Sequence, residues 1–310
     1  MTPSNRTDNS SMSEESYAGN KVEREFDSTI ELRQIMVVTD FSSKSRRTYT
    51  YAVRLAKRFG AEIQLVHFAR KRAPEYSGIT NQQHIKHLHQ SLVKESKQAA
   101  FVDLPIKTSL LEMRDFAQSF SGFQNKSACQ LIIAHTLAHK GMQRHFDHQL
   151  AEKIIANSTV PVLLFGPAAF DSGIEQPKSV LVPFDFSNKA TTTFPALRFL
   201  DKHYQCSFRL LLVQTFRSHW FQKTMRANEI QIQSFEKAFE ELIATELTDL
   251  EVELEIQQGQ AEMEFCRRAC GAEFDLIVIG TYGRLGHLTK DIIRNSKCPI
   301  MAVPINWSLG

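Results

Sequence analysis

The strongest constraint on this chain is that it repeats itself. The segment from Ile35 reads IMVVTDFSSKSRRTYTYAVRLAKRFGAEIQLVHF, and the segment from Val180 reads VLVPFDFSNKATTTFPALRFLDKHYQCSFRLLLVQTF. Each opens with an apolar strand-type run, closes it at Asp-Phe-Ser, passes through an amphipathic stretch and returns to an apolar run. Asp40 and Asp185 stand 145 residues apart, so the repeating unit is a whole domain rather than a short solenoid module. The ends agree too. Leu131 to His135 (LIIAH) answers Leu276 to Gly280 (LIVIG), and Val160 to Gly166 (VPVLLFG) answers Cys298 to Pro304 (CPIMAVP).

Strand-type runs alternate with helix-period segments in both copies, which argues for βαβ units and a parallel sheet. In the first copy Ser42 or Ser43 can cap a helix whose inward face is Tyr49, Ala52, Val53 and Ala56, with Gly60 ending it. In the second, Ile232, Phe235, Phe239, Leu242 and Ile243 form an apolar stripe along a long helix over 224–247. Strands near 104–111 and 250–257 bring each copy to five. The polar, aperiodic segment 1–29 reads as a disordered tail, and Gly, Pro, Asp and Ser mark a linker over 167–177. Domains are therefore expected over 30–166 and 178–310.

Composition narrows the function classes. A content of 42% hydrophobic and 23% charged residues suits two buried cores. A net charge of +3 is too small to point to a nucleic acid or a membrane. No run approaches the roughly 18 apolar residues of a membrane span, and the N-terminus lacks the apolar core of a secretory signal. The five cysteines, Cys129, Cys206, Cys266, Cys270 and Cys298, form no C-x-x-C pair. They read as reduced thiols of a cytoplasmic protein.

A V-x-x-D-x-S strand end (Val37 to Ser42), an A-x-x-L-A helix (Ala52 to Ala56) and the strand Ala61 to His67 follow one another. With LIVIGTYGRLG (Leu276 to Gly286) and the closing CPIMAVP, this pattern resembles the universal stress protein (UspA) family, in tandem, over about 270 of the 310 residues. The resemblance implies an α/β fold of two five-stranded parallel-sheet sandwiches, nucleotide-binding alpha-hydrolase-like, with strand order 3-2-1-4-5. It also implies a pseudo-twofold relation between the copies through their last strands. In ATP-binding members the first-strand Asp lies at the adenine and ribose side. A G-x-x-G loop, followed after a nine-residue gap by G-S or G-T, wraps the phosphates, because glycines let backbone N–H groups approach an anion closely.

Both copies depart from that pattern. In the second, Asp185, Pro183, Gly280, Thr281, Gly283 and Arg284 are the candidate nucleotide-binding residues, but the next expected glycine falls on Ile293 and the segment before Cys298 is short. Gly280 and Gly283 could equally serve only to shape a tight strand-to-helix turn. In the first copy His135-Thr136-Leu137-Ala138 replaces G-x-x-G, and His148-Gln149 replaces G-S. Asp40 remains, at a strand end where an Asp also serves to cap the following helix. Asp40, His135, Ala138 and His148 are thus the degenerate counterpart of the site.

The histidines of the first copy, His84, His87, His89, His135, His139, His145 and His148, show no ligand spacing that marks a metal centre, and none is expected. They read as solvated loop side chains or as lining of a remodelled pocket. No nucleophile elbow, full Walker motif or H-E-x-x-H is present, and His287 beside the Gly-rich loop has no sequence partner. The basic run Arg70-Lys71-Arg72 reads as a solvated loop. The expectation is a stress-response regulatory or interaction module, not an enzyme, with degenerate nucleotide sites and no certain cofactor. The alternative is an ATP or adenine-nucleotide binder, or slow ATPase, working through the second copy. Partners would be a small nucleotide, the other repeat of the same chain and a second copy as homodimer.

Overall fold

Central strands of a parallel sheet are covered on both faces, so they read as continuous apolar runs rather than alternating ones. In the computed structural model, β1 (Gln34–Val38), β4 (Leu131–His135), β5 (Val162–Phe165), β6 (Ser179–Pro183), β9 (Leu276–Thr281) and β10 (Ile300–Pro304) are of this kind. Around them lie β2 (Glu62–Ala69), β3 (Ile106–Glu112), β7 (Ser207–Gln214) and β8 (Val252–Gln258). The structure describes residues 32–69, 80–98, 101–113, 115–136, 144–166, 169, 176–214, 221–271, 273–283, 286–305 and 307. The tail expected over 1–29, most of the linker, Arg70 to Arg72, Ala138, His139 and Arg284 lie outside these residues.

The strands form a ten-stranded sheet in the order β3-β2-β1-β4-β5-β10-β9-β6-β7-β8. Within each repeat this is the order 3-2-1-4-5, with parallel neighbours. The two five-stranded sheets join through their last strands, as the resemblance implied: β5 and β10 pair antiparallel, with Met301 opposite Leu163. Joining two like-ordered parallel sheets through an antiparallel pair of last strands relates the repeats by a local twofold axis. That axis passes near the Leu163–Met301 pair. The pairing also covers two strand edges that would otherwise invite aggregation.

Helices α1 (Ser43–Phe59), α2 (Asn81–Ser96), α6 (Phe194–Tyr204) and α7 (Phe221–Glu246) cover one face. Helices α3 (Phe116–Ser127), α4 (Arg144–Asn157), α8 (Ala261–Ala269) and α9 (His287–Asn295) cover the other. Side chains alternate along each strand, so Ile35 and Val37 join the first core while Met36 and Val38 join the second. Ser42 caps α1, its hydroxyl accepting from the Ser45 N–H at 3.1 Å, and Gly60 ends the helix at φ 67°. Tyr49, Ala52, Val53 and Ala56 are its buried residues, with Ser45 and Thr48.

The amphipathic stretch after Asp185 differs from its counterpart. It breaks into α5 (Asn188–Thr191) and α6, with Pro195 in the first turn of α6. A continuous helix would need a Pro195 N–H that does not exist and would drive the ring into the Thr191 carbonyl. Among the described residues no helix is long and apolar enough to cross a membrane.

Candidate functional site

The carboxyl ends of β1 and β4 diverge at the point where the strand order reverses, and the turn after β1 is unusually tight. Phe41 sits at φ 66°, a left-handed conformation uncommon for a bulky residue. Its N–H donates to Thr39 Oγ1 at 3.0 Å, and the Ser42 N–H donates to Asp40 Oδ1 at 2.9 Å. Ser42, not Asp40, caps α1. The Asp40 carboxylate faces the end of β4 instead, where His135 Nε2 lies 3.2 Å from Oδ1. The His135 side chain is 6% exposed and that of Asp40 30%.

Burial alone would raise the Asp40 pKa. The hydrogen bond and charge of His135, with the hydrogen bonds of Ser42, override it and hold the carboxyl well below the usual carboxylate range. On the far side of the imidazole, His135 Nδ1 has no hydrogen-bond partner among the described residues, and neither does the buried Thr136 hydroxyl. One strand over, His67 on β2 holds Nδ1 at 2.7 Å from the Thr39 carbonyl and stacks on Phe41 with ring centroids 4.3 Å apart. Burial lowers its pKa, disfavouring the charged form of this ring-stacked imidazole. At the switch point of the first repeat the Asp40 carboxylate is therefore paired with His135, and Phe41 with His67.

The second repeat keeps the turn but has neither pair. Phe186 repeats the left-handed conformation at φ 56°. Asp185 is exposed, and its carboxylate accepts from the Ser187 N–H at 3.0 Å. Gly280 stands where the first repeat has His135, so no side chain reaches across from β9. Phe186 stacks on Phe235 of α7 at 5.7 Å rather than on a histidine. Pro183 ends β6 in register with Leu211.

The rest of the candidate phosphate loop is mixed. The Thr281 hydroxyl is buried and donates to the Val303 carbonyl at 3.3 Å, which ties β9 to β10. Gly283 is at φ 73°, and a Cβ there would stand 3.3 Å from the Ala156 carbonyl of α4, in the other repeat. Its lack of a side chain is thus required by close packing at the seam as well as by conformation. Gly286 is the N-cap of α9 and makes no side-chain cap hydrogen bond. Ile293 lies in the core at 5% exposure, where a phosphate could not reach it.

Of the residues singled out in sequence, the structure brings together Asp40 with His135. It sets Asp185 two residues past the end of β6, the strand that pairs with β9. Ala138 and Arg284 lie outside the described residues, and His148 falls within α4. No group of three or more His, Cys, Asp or Glu among the described residues is placed to hold a metal ion. Sequence reasoning missed His67, although it stands in the quoted Ala61 to His67 strand. It also missed the role of Ala156 in shaping the loop around Gly283. An unexpected polar residue closing an apolar strand is the signal that could have found His67. Nothing local marks Ala156.

The model of the universal stress protein family matches this chain twice, over residues 31–166 and 177–304. Among solved structures, the chain is similar to a universal stress protein from Archaeoglobus fulgidus DSM 4304. The identity is 16%, the match covers 88% of this chain and 97% of that one, and the TM-score is 0.61. A functionally unknown protein from Pseudomonas aeruginosa PAO1 matches at 14% identity over 89% of this chain and 93% of that one, with a TM-score of 0.55. No curated protein matches. The two family matches fall on the two halves of the ten-stranded sheet, and the chain belongs to the universal stress protein family as a tandem pair of its domains.

Proposed function

We propose that this chain is a cytoplasmic stress-response regulatory or interaction module that acts by binding rather than catalysis, with its nucleotide sites degenerate. The reading rests on one observation above all. Where the second repeat has Gly280, the first has His135, its imidazole 3.2 Å from Asp40. The carboxylate that would meet a ribose hydroxyl is already taken by a buried internal partner. Displacing it would leave His135 with neither ring nitrogen paired among the described residues. Pairing of β5 with β10 satisfies within one chain the edge through which separate copies would associate, so a second copy is not needed to complete the sheet.

A second reading, an adenine-nucleotide binder working through the second repeat, is favoured by the exposed Asp185, by Gly280 in the place of His135 and by the glycine that starts α9. Against it stand the Thr281 hydroxyl committed to Val303 and the buried Ile293. Isothermal titration of the full chain with ATP and Mg²⁺ separates the two. The module reading expects no saturable heat at tens of micromolar protein. Saturable heat abolished by Asp185→Ala, with far-UV circular dichroism unchanged, supports the second reading. Heat that survives Asp185→Ala but vanishes in Asp40→Ala would overturn the reading that the first pocket is closed.

A further inference from the structure

The seam between the repeats carries a cleft that lies away from both switch points. It opens at the amino ends of the strands, the opposite edge of the sheet from Asp40 and Asp185, and has a volume of about 320 Å³. Its floor is the Leu163–Met301 pair of the antiparallel β5–β10 ladder, flanked by Leu131 and Leu276. Leu131 and Leu276 occupy corresponding positions in β4 and β9, so the floor follows the local twofold axis.

The walls do not follow it. One turn apart on α1 stand Arg54 and Arg58, and the corresponding positions of α6 carry Phe199 and His203. One wall is therefore cationic and the other aromatic. The two are bridged where the Arg58 guanidinium sits 4.5 Å over the Tyr204 ring and donates to the His203 carbonyl. Phe59 stacks on Phe199 at 5.6 Å beside them. On the far rim, Asp275 accepts from the N–H groups of Lys178 and Ser179, so its charge is held by backbone donors. Apolar recesses of this size are poorly hydrated, and pockets that take small ligands begin at about 300 Å³.

We propose that this cleft binds a small amphipathic organic anion. Its aliphatic or aromatic body would lie on the Leu163–Met301 floor and its one carboxylate or sulfonate against Arg54 and Arg58. The body replaces water that the floor holds poorly, and the guanidiniums supply the charge that an apolar ligand alone would not need. Because α1 and α6 belong to different repeats, an occupant would contact both and stabilise their mutual arrangement. The inference is independent of whether either repeat takes a nucleotide.

The test uses the full chain and three probes: 1-anilinonaphthalene-8-sulfonate, decanoate and decanol. The sulfonate should give saturable fluorescence at one site per chain in native buffer. Decanoate should displace it about tenfold better than decanol, the worth of one charge-assisted hydrogen bond. Leu55→Trp, which fills the cleft from its rim, should lower sulfonate affinity by about tenfold or more with unchanged circular dichroism. Arg54→Gln should bring decanoate and decanol together. Absence of saturable binding, or binding untouched by a folded Leu55→Trp protein, would overturn the proposal. If Leu55→Trp does not fold, the decanoate-to-decanol ratio in the native chain and in Arg54→Gln decides, and equal affinities in the native chain refute it.

Discussion

Arg46 and Glu95 form an ion pair whose two ends live in different solvents, and removing one end should not cost what removing the other does. The Arg46 side chain is 44% exposed and that of Glu95 only 7%. Glu95 accepts from Arg46 Nε at 3.0 Å, from its Nη2 at 2.5 Å and from Gln98 Nε2 at 2.6 Å. Tyr49 Oη lies 3.2 Å away and 2.6 Å from Thr39 Oγ1, which joins the pair to the turn carrying Asp40. In Arg46→Met the carboxylate stays buried with its charge unmatched, and a cost of about 3–5 kcal/mol is expected. In Glu95→Gln the guanidinium turns to water while the amide oxygen still accepts from Gln98 or Tyr49. There the loss should be about 1–2 kcal/mol. Urea unfolding followed by far-UV circular dichroism measures both as midpoint shifts at constant slope. A Glu95→Gln protein as unstable as Arg46→Met, or less stable, would show that burial does not set the asymmetry and would refute the reasoning.

The pH dependence of stability tests the Asp40–His135 contact. Asp40 is held below its ordinary value of 3.8 in the folded chain, so the unfolded chain takes up that proton first. The stabilisation is complete above about pH 5 and is lost as pH falls through and below 3.8. His135→Asn should flatten the fall in melting temperature between about pH 5 and pH 3, and an unchanged slope would contradict the pairing. Thiol accessibility tests the packing. Burial pushes the thiols of Cys129 and Cys206 up to about 12 and that of Cys298 up to about 11, while Cys266 and Cys270 are half-buried. A disulfide reagent at pH 8 should label at most Cys266 and Cys270 quickly in the native chain. Fast labelling of a third thiol would show that a core is open.

Signals that act within one element were legible in the chain. The Ser42 cap, Gly60 at the end of α1, the apolar runs of the central strands and the 145-residue period each arise from interactions a few residues long or from self-similarity. They need no knowledge of the fold. The break at Pro195 is equally local, because a proline cannot continue a helix that precedes it. The site is another matter. Asp40 and His135 are far apart in sequence and meet only because β1 and β4 are neighbours. At Gly283 a Cβ would stand 3.3 Å from the Ala156 carbonyl that α4 of the other repeat brings there. Thr281 looked like a ligand contact and is instead turned inward to Val303. Sequence by itself determined the strands, the helices and the duplication, because hydrophobic periodicity and capping are short-range. Only the tertiary structure decided which aspartate is paired, which glycine packs against backbone and where a cleft opens, because each depends on atoms that chain folding brings together from distant segments.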